Sequence, residues 1–217
     1  MLVLLPPSEG KASPEKGDPV DLGSLAFAAE LTERREELLA AFDPALLEAP
    51  AAPAADVYTG VLFQRLELPK LPARARRRVL IASALWGMLG PDDRIPHYKF
   101  PPKTRLDGIG APAGYWRPVL AEAVPDKAGE LIVDMRSAAY SSFWKPKRAT
   151  LLAVRAFSES NGERKVISHM AKAVRGDVAR ALLAERKAPK DSQAAAAVAE
   201  AAGFRVELTP GSLDLIV

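Results

Sequence analysis

The chain has 217 residues, 48% of them hydrophobic, and a net charge of +3. This is enough for a sizeable core, and we expect one domain that spans residues 1–217. The chain has no cysteine and only two histidines, which excludes disulfides, thiolate or histidine metal clusters and cysteine nucleophiles, and we expect no metal or other cofactor.

The N-terminal residues, Met1 to Leu5, are apolar and are followed by Pro6-Pro7, which predicts a short buried strand that runs into a loop. No basic flank or small-residue cleavage site accompanies this run. Nowhere does the sequence contain the stretch of about 18 uncharged apolar residues that a membrane span requires. We therefore expect a cytosolic protein that does not associate with a membrane.

The next predicted elements are a surface loop, two helices and a linker. Residues 12–24 are rich in Pro, Gly, Ser and charged side chains, which is typical of a loop. A helical pattern begins near Thr32, and alanine and proline in residues 49–55 indicate a linker. Asp56 is then predicted to cap a helix that extends to Leu66.

The middle of the chain contains two strand candidates and a helix. Residues 79–85 form an apolar run that predicts a strand, although periodicity alone also allows a helix. Residues 115–123 are predicted to be helical, with Pro118 near the first turn. Residues 131–135 are a third buried strand candidate.

The last third of the chain combines hairpins with helices. The predicted elements are strands over 151–157 and 165–168, helices from about Met170 and over 193–202, and a final hairpin of residues 204–208 and 212–217. Asn161-Gly162 is a strong hairpin signal between the first two strands. Because strands occur both in hairpins and separated by helices, we predict an α+β fold in which helices surround a mixed β-sheet.

Basic residues are clustered along the chain, and the isoelectric point is about 9.2. Residues 74–78 hold four arginines, residues 145–148 hold three cations, and residues 164–180 hold five more. Such clusters are typical of nucleic-acid-binding surfaces and equally of solvated faces and helix ends, so both interpretations stay open.

The segment VISHMAKAVRGDVARALL has the pattern of an anion site. On a helix, Ser168, Lys172 and Arg175 share one face, and their hydroxyl, ammonium and guanidinium groups near a helix start complement phosphate oxygens. Gly176 costs about 1 kcal/mol relative to alanine inside a helix, which indicates that another group approaches the backbone closely. That group is either the phosphate or a neighbouring helix; in the second case Lys172 and Arg175 are merely exposed.

The loop after the first strand reads PPSEGK. Ligands of α/β sheets bind beyond the carboxyl ends of strands, so Ser8 and Lys11 are predicted to bind an anion, with Glu9 as a pocket candidate. The number and order of glycines exclude a Walker loop. A plain surface turn is the alternative.

Two further segments, DVYTG and DMRSAAYSSFWKPK, carry polar groups next to predicted helix starts and strand ends. Their pocket candidates are Asp56, Tyr58, Asp134, Ser137 and Tyr140, and their basic candidates are Lys145 and Lys147. Aromatic side chains among cations suit base stacking combined with phosphate contact. The same composition is typical of an ordinary core edge, and helix capping alone explains Asp56.

The segment ALWGMLGPDD places Gly87 and Gly90 between large apolar residues. Glycines in a hairpin allow backbone N–H groups to approach a phosphate. The apolar neighbours instead favour a tight corner in the core, and Asp92 and Asp93 would repel a phosphate.

Several motifs occur together in a characteristic order: PPSEGK, DVYTG, ALWGMLGPDD with PHYKF, YW at 115–116, RSAAY, KPK and ISHMAKAVRG. This combination makes the sequence similar to the YaaA family of bacterial peroxide-stress proteins. The resemblance covers nearly the whole chain, although the first loop reads Ser-Glu-Gly-Lys where other members have Ser-Pro-Ala-Lys. It implies a single compact domain with a mixed sheet wrapped by helices, a helix-hairpin-helix-like element and a positively charged cleft. The LWGML hairpin is then the candidate DNA-contacting turn, and Lys172 and Arg175 match the basic helix.

The resemblance implies a protein that binds DNA, preferentially non-regular duplex, and protects it from hydrogen peroxide and iron-driven damage. The alternative is an enzyme that acts on a nucleotide or another phosphorylated small molecule. In that case Ser8, Lys11, Lys172 and Arg175 hold the phosphate, and Glu9, Asp134 or Tyr140 supplies acid–base chemistry. Direct iron binding is disfavoured because cysteine is absent and the histidines are far apart in the sequence.

Overall fold

The computed structural model describes residues 1–160, 163–166 and 169–217. The strands are β1 (Leu2–Leu5), β2 (Ala51–Pro53), β3 (Val79–Ser83), β4 (Gly87–Leu89), β5 (Arg94–Pro96), β6 (Leu131–Asp134), β7 (Thr150–Ser160), β8 (Glu163–Val166), β9 (Arg205–Thr209) and β10 (Ser212–Ile216). The helices are α1 (Ala28–Phe42), α2 (Ala54–Val57), α3 (Val61–Leu66), α4 (Ala73–Arg76), α5 (Pro112–Ala123), α6 (Ala138–Ser141), α7 (His169–Ala184) and α8 (Ser192–Ala201). Within this part of the chain, no helix is both long and apolar enough to cross a membrane.

The main sheet has the strand order β4-β3-β1-β6-β7-β10-β9, and β8 pairs with the end of β7 that extends beyond β6. Strand β1 is parallel to both β3 and β6, β6 is parallel to β7, and β7 is parallel to β10. The β3–β4, β7–β8 and β9–β10 pairs are antiparallel. The sheet is therefore mixed, which confirms the predicted α+β fold.

The core is a single apolar cluster on both faces of this sheet. Val3, Leu4 and Leu5 of β1 are fully buried, as a central strand with helices on both faces requires. Trp86 and Trp116 are also fully buried. The indole N–H of Trp116 donates to the carbonyl oxygen of Ala84 at 2.8 Å, which ties α5 to the turn between β3 and β4.

A buried arginine of α1 holds the same turn. The side chain of Arg35 is fully buried and donates to the carbonyl oxygens of Trp86, Met88 and Ala26 at 3.1, 3.0 and 2.8 Å. Burial lowers the pKa of Arg35 to about 10, an effect that the charge of Asp93 opposes. Carbonyl oxygens thus solvate this cation in place of water.

Most predicted elements are present, and three details are wrong. Residues 49–55 are not a linker, because they include β2 and the start of α2, where Ala51 and Ala54 are fully buried. Asp56 caps no helix, because it is an exposed residue inside α2, and α3 begins only after Gly60. Pro118 lies in the middle of α5, where Pro112 occupies the first turn.

Two expectations concern turns. The strands on either side of Asn161-Gly162 pair antiparallel as predicted, but these two residues lie outside the described residues. Gly87 is the first residue of β4, directly after the turn of the β3–β4 hairpin. The expected helix-hairpin-helix-like element stays a prediction.

Gly176 of α7 lies where α3 crosses it. A Cβ atom at this position would lie 2.5 Å from the carbonyl oxygen of Leu62 and 2.8 Å from the Cβ atom of Arg65. Next to it, Arg65 forms a two-bonded ion pair with Asp177, with both distances 2.8 Å. Of the two interpretations of Gly176, the structure supports the neighbouring helix, and Gly176 as part of an anion site stays a prediction.

We expect Gly176→Ala to lower the free energy of unfolding by about 1–3 kcal/mol, because the added methyl group meets backbone that cannot yield without separating α3 from α7. Gly114→Ala in α5 is the matched control, since nothing lies within 4 Å of a Cβ atom there. That variant should change stability by no more than about 1 kcal/mol. Urea unfolding measures both, and equal stability of the two variants would contradict the close approach.

Candidate functional site

Polar side chains gather at the edge of the sheet where the parallel strands β3, β1 and β6 end. Ser83 is the last residue of β3, Ser8 and Lys11 follow β1, and Asp134 ends β6. Because β1 pairs with both neighbours in parallel, the three strand ends lie side by side. This edge is where α/β sheets usually bind ligands.

The loop after β1 is held against the residues that follow α2. Ala12 donates its N–H to the carbonyl oxygen of Val57 at 2.8 Å, and Thr59 donates to that of Gly10 at 3.0 Å. The N–H of Gly60 donates to the hydroxyl oxygen of Ser8 at 2.7 Å. Ser8 is 6% exposed, so its hydroxyl anchors the loop.

Lys11 extends from this loop over two aromatic rings. Its Nζ atom donates to the carbonyl oxygen of Ser8 at 2.7 Å and lies 4.4 Å from the ring centroid of Tyr98 and 5.8 Å from that of Tyr58. Burial lowers the pKa of Lys11 to about 8, and the charge of Glu9 opposes this shift. The side chain of Lys11 is thus half-buried, so its amine has lost part of its hydration but still reaches solvent.

A chain of hydroxyl groups lies beneath Lys11. The hydroxyl of Tyr98 is 2.7 Å from that of Tyr58 and 2.8 Å from that of Ser83, and Ser83 accepts the N–H of Trp86 at 3.1 Å. Burial raises the pKa of Tyr98 to about 12 and raises that of Tyr58 still further above its ordinary value. Both phenols therefore stay protonated at neutral pH.

Tyr140 of α6 completes the group. Burial raises its pKa, and the nearby Tyr98 and Glu9 add to the shift. Tyr140 is half-buried and Glu9 is exposed. We refer to Glu9, Lys11, Tyr58, Tyr98 and Tyr140 as the Lys11 cluster.

Asp134 is already paired. Its two carboxylate oxygens accept from Nε and Nη2 of Arg136, each at 2.8 Å, and both residues are 5% exposed. Arg136 also donates to the carbonyl oxygen of Trp144 at 2.8 Å. These contacts give Asp134 a structural role, and the acid–base role suggested by its sequence position stays a prediction.

The predicted phosphate-binding face of α7 is only partly described. Arg175 donates to the carbonyl oxygen of Val154 at 3.0 Å, and burial lowers its pKa against the opposing charge of Asp134. Lys172 is exposed, and Ser168 lies outside the described residues. Arg175 therefore turns towards the sheet while Lys172 faces solvent.

A second feature is an open groove between α5 and the segment after α6. Its volume is about 600 Å³, and its lining comprises Arg117, Pro118, Ala121, Ser142, Trp144, Lys145, Pro146 and Lys147. We call it the basic groove. Lys145 and Lys147 are exposed, and neither forms an ion pair in the described ranges.

Asp126 holds one wall of the basic groove in place. Its carboxylate accepts the backbone N–H groups of Lys147, Arg148 and Ala149 at 2.6, 3.0 and 2.7 Å. These bonds lower the pKa of Asp126, although burial acts in the opposite direction and is the largest single effect. A fixed backbone carries the cations, so less entropy is lost when they bind a ligand.

The remaining candidates are Gly87, which pairs with Ser83 across the β3–β4 hairpin, Gly90 and Ser137. Gly87 is buried, with φ of 75°, and a Cβ atom there would lie 2.9 Å from the ring of Trp116. The N–H of Gly90 donates to the carboxylate of Asp93 at 2.9 Å. This geometry is that of a tight corner in the core. Ser137 is exposed before α6 and makes no side-chain cap.

Several residues of the site were missed from the sequence: Ser83, Tyr98, Arg117, Asp126 and Arg136. Tyr98 stands within PHYKF, a motif that contributes to the family resemblance but does not by itself indicate a role for the tyrosine. Arg117 and Asp126 are isolated in the sequence, and no local pattern distinguishes them from other surface charges. Among the described residues, no group of His, Asp and Glu side chains is arranged to hold a metal ion.

Comparison with known proteins finds relatives that match this chain over its full length. A family model described as "Peroxide stress protein YaaA" matches residues 15–208. A UPF0246 protein of Streptomyces coelicolor is 38% identical, with 100% of this chain and 98% of the relative covered. UPF0246 proteins of Corynebacterium efficiens and Corynebacterium glutamicum are 34% and 32% identical, with 100% of each chain covered.

The lowered pKa of Lys11 predicts a pH-dependent stability. Between about pH 8 and the ordinary value of 10.5, the unfolded chain binds more protons at this residue than the folded chain does. The contribution of Lys11 to stability therefore rises with pH through this window and is constant below it. In urea unfolding, the protein should gain stability relative to Lys11→Met between pH 8 and 10. A constant difference from pH 6 to 10 would contradict the shift.

Proposed function

Since the chain belongs to the peroxide stress protein YaaA family, we propose that it is a cytosolic protein that binds DNA and protects it from damage by peroxide and iron. The family description itself supports a role in peroxide stress. Binding to DNA, and a preference for non-regular duplex, are the further steps of the proposal. They rest on the charge and shape of the surface.

The observation that carries the proposal is that no cation lining the basic groove forms an ion pair within the described residues. Arg117 donates through Nε to the carbonyl oxygen of Ser142 at 3.1 Å. Lys145 and Lys147 stand on the opposite wall without an ion pair in the part of the chain described. Three cations around an open groove suit the phosphates of a nucleic-acid strand, which release counterions when bound.

The dimensions of the groove favour a single strand or a distorted duplex. A volume of about 600 Å³ is that of a small-molecule cleft and is too small for a regular double helix. Trp144 is only 3% exposed, so it forms an apolar floor and offers no free ring face for base stacking. We therefore infer contacts mainly to phosphates, which carry no sequence information.

The alternative function, catalysis on a phosphorylated small molecule at Ser8, Lys11, Lys172 and Arg175, receives less support. The hydroxyl of Ser8 and the guanidinium of Arg175 already bind backbone groups. Lys172 points to solvent. The engagement of Ser8 and Arg175 with the backbone therefore favours the DNA interpretation over the enzyme interpretation.

We expect Lys145→Gln/Lys147→Gln to weaken binding to gapped DNA because two phosphate contacts are lost. The slope of log affinity against log salt should fall by about 1.5–2. Fluorescence anisotropy with a labelled gapped oligonucleotide, recorded between about 50 and 200 mM salt, measures both quantities.

Lys16→Gln/Lys187→Gln is the control, since it removes the same charge from two exposed lysines outside the groove. It should keep the full salt slope. Equal losses in the two variants would show that net charge, and not the groove, decides binding. Absence of binding by the unaltered protein at low salt would overturn the proposed function.

Mononucleotides and sugar phosphates are expected to leave the melting temperature unchanged, whereas gapped DNA should raise it, because a ligand that binds the folded state stabilises it by an amount that grows with the ratio of its concentration to its Kd. A thermal-shift series at increasing ligand concentration measures this. Saturable stabilisation by one nucleotide, lost in Lys172→Ala, would favour the enzyme interpretation.

A further inference from the structure

Lys11 has fewer hydrogen-bond partners than the buried arginines Arg35 and Arg136 have. Arg136 is neutralised by the carboxylate of Asp134, and Arg35 is solvated by three carbonyl oxygens. Lys11 has one carbonyl oxygen and the face of Tyr98, and no carboxylate lies within ion-pair distance among the described residues. Two of the three donors of its ammonium group thus have no hydrogen-bond acceptor in the described protein.

The position of Lys11 is also costly if its role is only structural. Desolvation of an ammonium group requires compensation, and one neutral carbonyl with a cation–π contact supplies only part of it. The loop itself is held by other bonds, from Ala12 to Val57, from Thr59 to Gly10 and from Gly60 to Ser8. The amine is therefore not needed to fix the loop.

The surroundings of Lys11 are those of a nucleophilic amine. Partial desolvation beside aromatic rings favours the neutral form, which carries the reactive lone pair. Glu9 is an exposed carboxylate close enough to act on the charge of Lys11 and of Tyr140. The groups that face the amine are Glu9 from its own loop, Tyr58 after α2 and Tyr98 after β5. Tyr140 of α6 interacts electrostatically with Glu9 and Tyr98.

We propose that Lys11 is a nucleophilic lysine that condenses with an aldehyde to form an imine, at a site formed by Glu9, Tyr98 and Tyr140. The neutral Nζ atom attacks the aldehyde carbon, and a carbon–nitrogen bond forms as the carbonyl π bond breaks. Through Glu9, one of the two protons on the resulting ammonium passes to the alkoxide oxygen, which gives a carbinolamine, and the second passes to the hydroxyl group so formed. That group leaves as water, and an imine remains, so amine and aldehyde are consumed in equal amounts with no oxidant or reductant.

Two sources of aldehyde fit this chemistry: the open-chain deoxyribose of an abasic site in DNA, and a free small aldehyde. Loss of a damaged base from DNA leaves the first, which links Lys11 to the proposed function. Only the DNA source rests on that function. The chemistry of Lys11 with a free aldehyde does not depend on whether the protein binds DNA.

The test uses the full chain with sodium cyanoborohydride, which reduces an imine to a stable secondary amine. One arm contains an oligonucleotide with a single abasic site, and the other contains glyceraldehyde. Intact mass and peptide mapping locate the added group. At pH 7 we expect Lys11 to be labelled at least about tenfold faster than the exposed Lys16, because a larger fraction of its amine is unprotonated.

Lys11→Arg keeps the cation but forms no stable imine, and it should lose the dominant label in both arms. Lys16→Arg is the matched control in the same loop region and should retain it. Peptide mapping of the unaltered protein needs no variant, so the test stands even where Lys11→Arg fails to fold. Labelling spread evenly over the exposed lysines, and unchanged in folded Lys11→Arg, would overturn the proposal.

The two arms separate this proposal from the proposed function. Label on Lys11 from glyceraldehyde alone supports imine chemistry and overturns the DNA source. Label from the abasic oligonucleotide that decreases in Lys145→Gln/Lys147→Gln, with glyceraldehyde labelling unchanged, supports both. The rate at Lys11 should rise from pH 6 to about 8 and then level off.

Discussion

The parallel pairing of β1 with both β3 and β6 is the constraint on which the rest of the structure depends. Val3 and Leu4 of β1 pair on one side with Val79 and Leu80 and on the other with residues of β6. This pairing aligns the carboxyl ends of three strands from distant parts of the chain. Lys11 follows the end of β1 and Tyr140 follows the end of β6, so this alignment brings their segments to one edge of the sheet. Tyr58 and Tyr98 reach Lys11 from the segments after α2 and β5.

Burial of charge divides the polar residues of the protein into structural and chemical groups. A cation removed from water is stable only if other groups replace the lost hydration. Arg136 receives that replacement from Asp134 and Trp144. Arg35 receives it from three carbonyl oxygens, while its buried Nη1 atom has no hydrogen-bond partner among the described residues. These contacts fix the segment after β6 and the β3–β4 turn. Lys11 receives only one carbonyl oxygen and cation–π contacts, and burial lowers the pKa of its amine to about 8.

The two candidate surfaces are connected through the segment that contains α6. Tyr140 belongs to the Lys11 cluster, and Ser142 and Trp144, a few residues later, line the basic groove. Arg136 donates to the carbonyl oxygens of both Tyr140 and Trp144, so one buried ion pair positions a residue of each surface. A strand held in the groove would pass close to the segment that also supports the cluster. This continuity relates the proposed DNA binding to the proposed chemistry of Lys11.

The sequence by itself determined the mixed α+β fold, the central strands and the final hairpin, because apolar runs and turn residues act locally. It also identified the family, through short motifs that need no spatial knowledge. Only the tertiary structure decided the roles of individual residues. Ala51 is buried because β2 pairs with β5, and Gly176 is required because α3 crosses α7. Lys11 owes its environment to Tyr58 and Tyr98, and burial and pairing between residues far apart in the chain leave no trace in local composition.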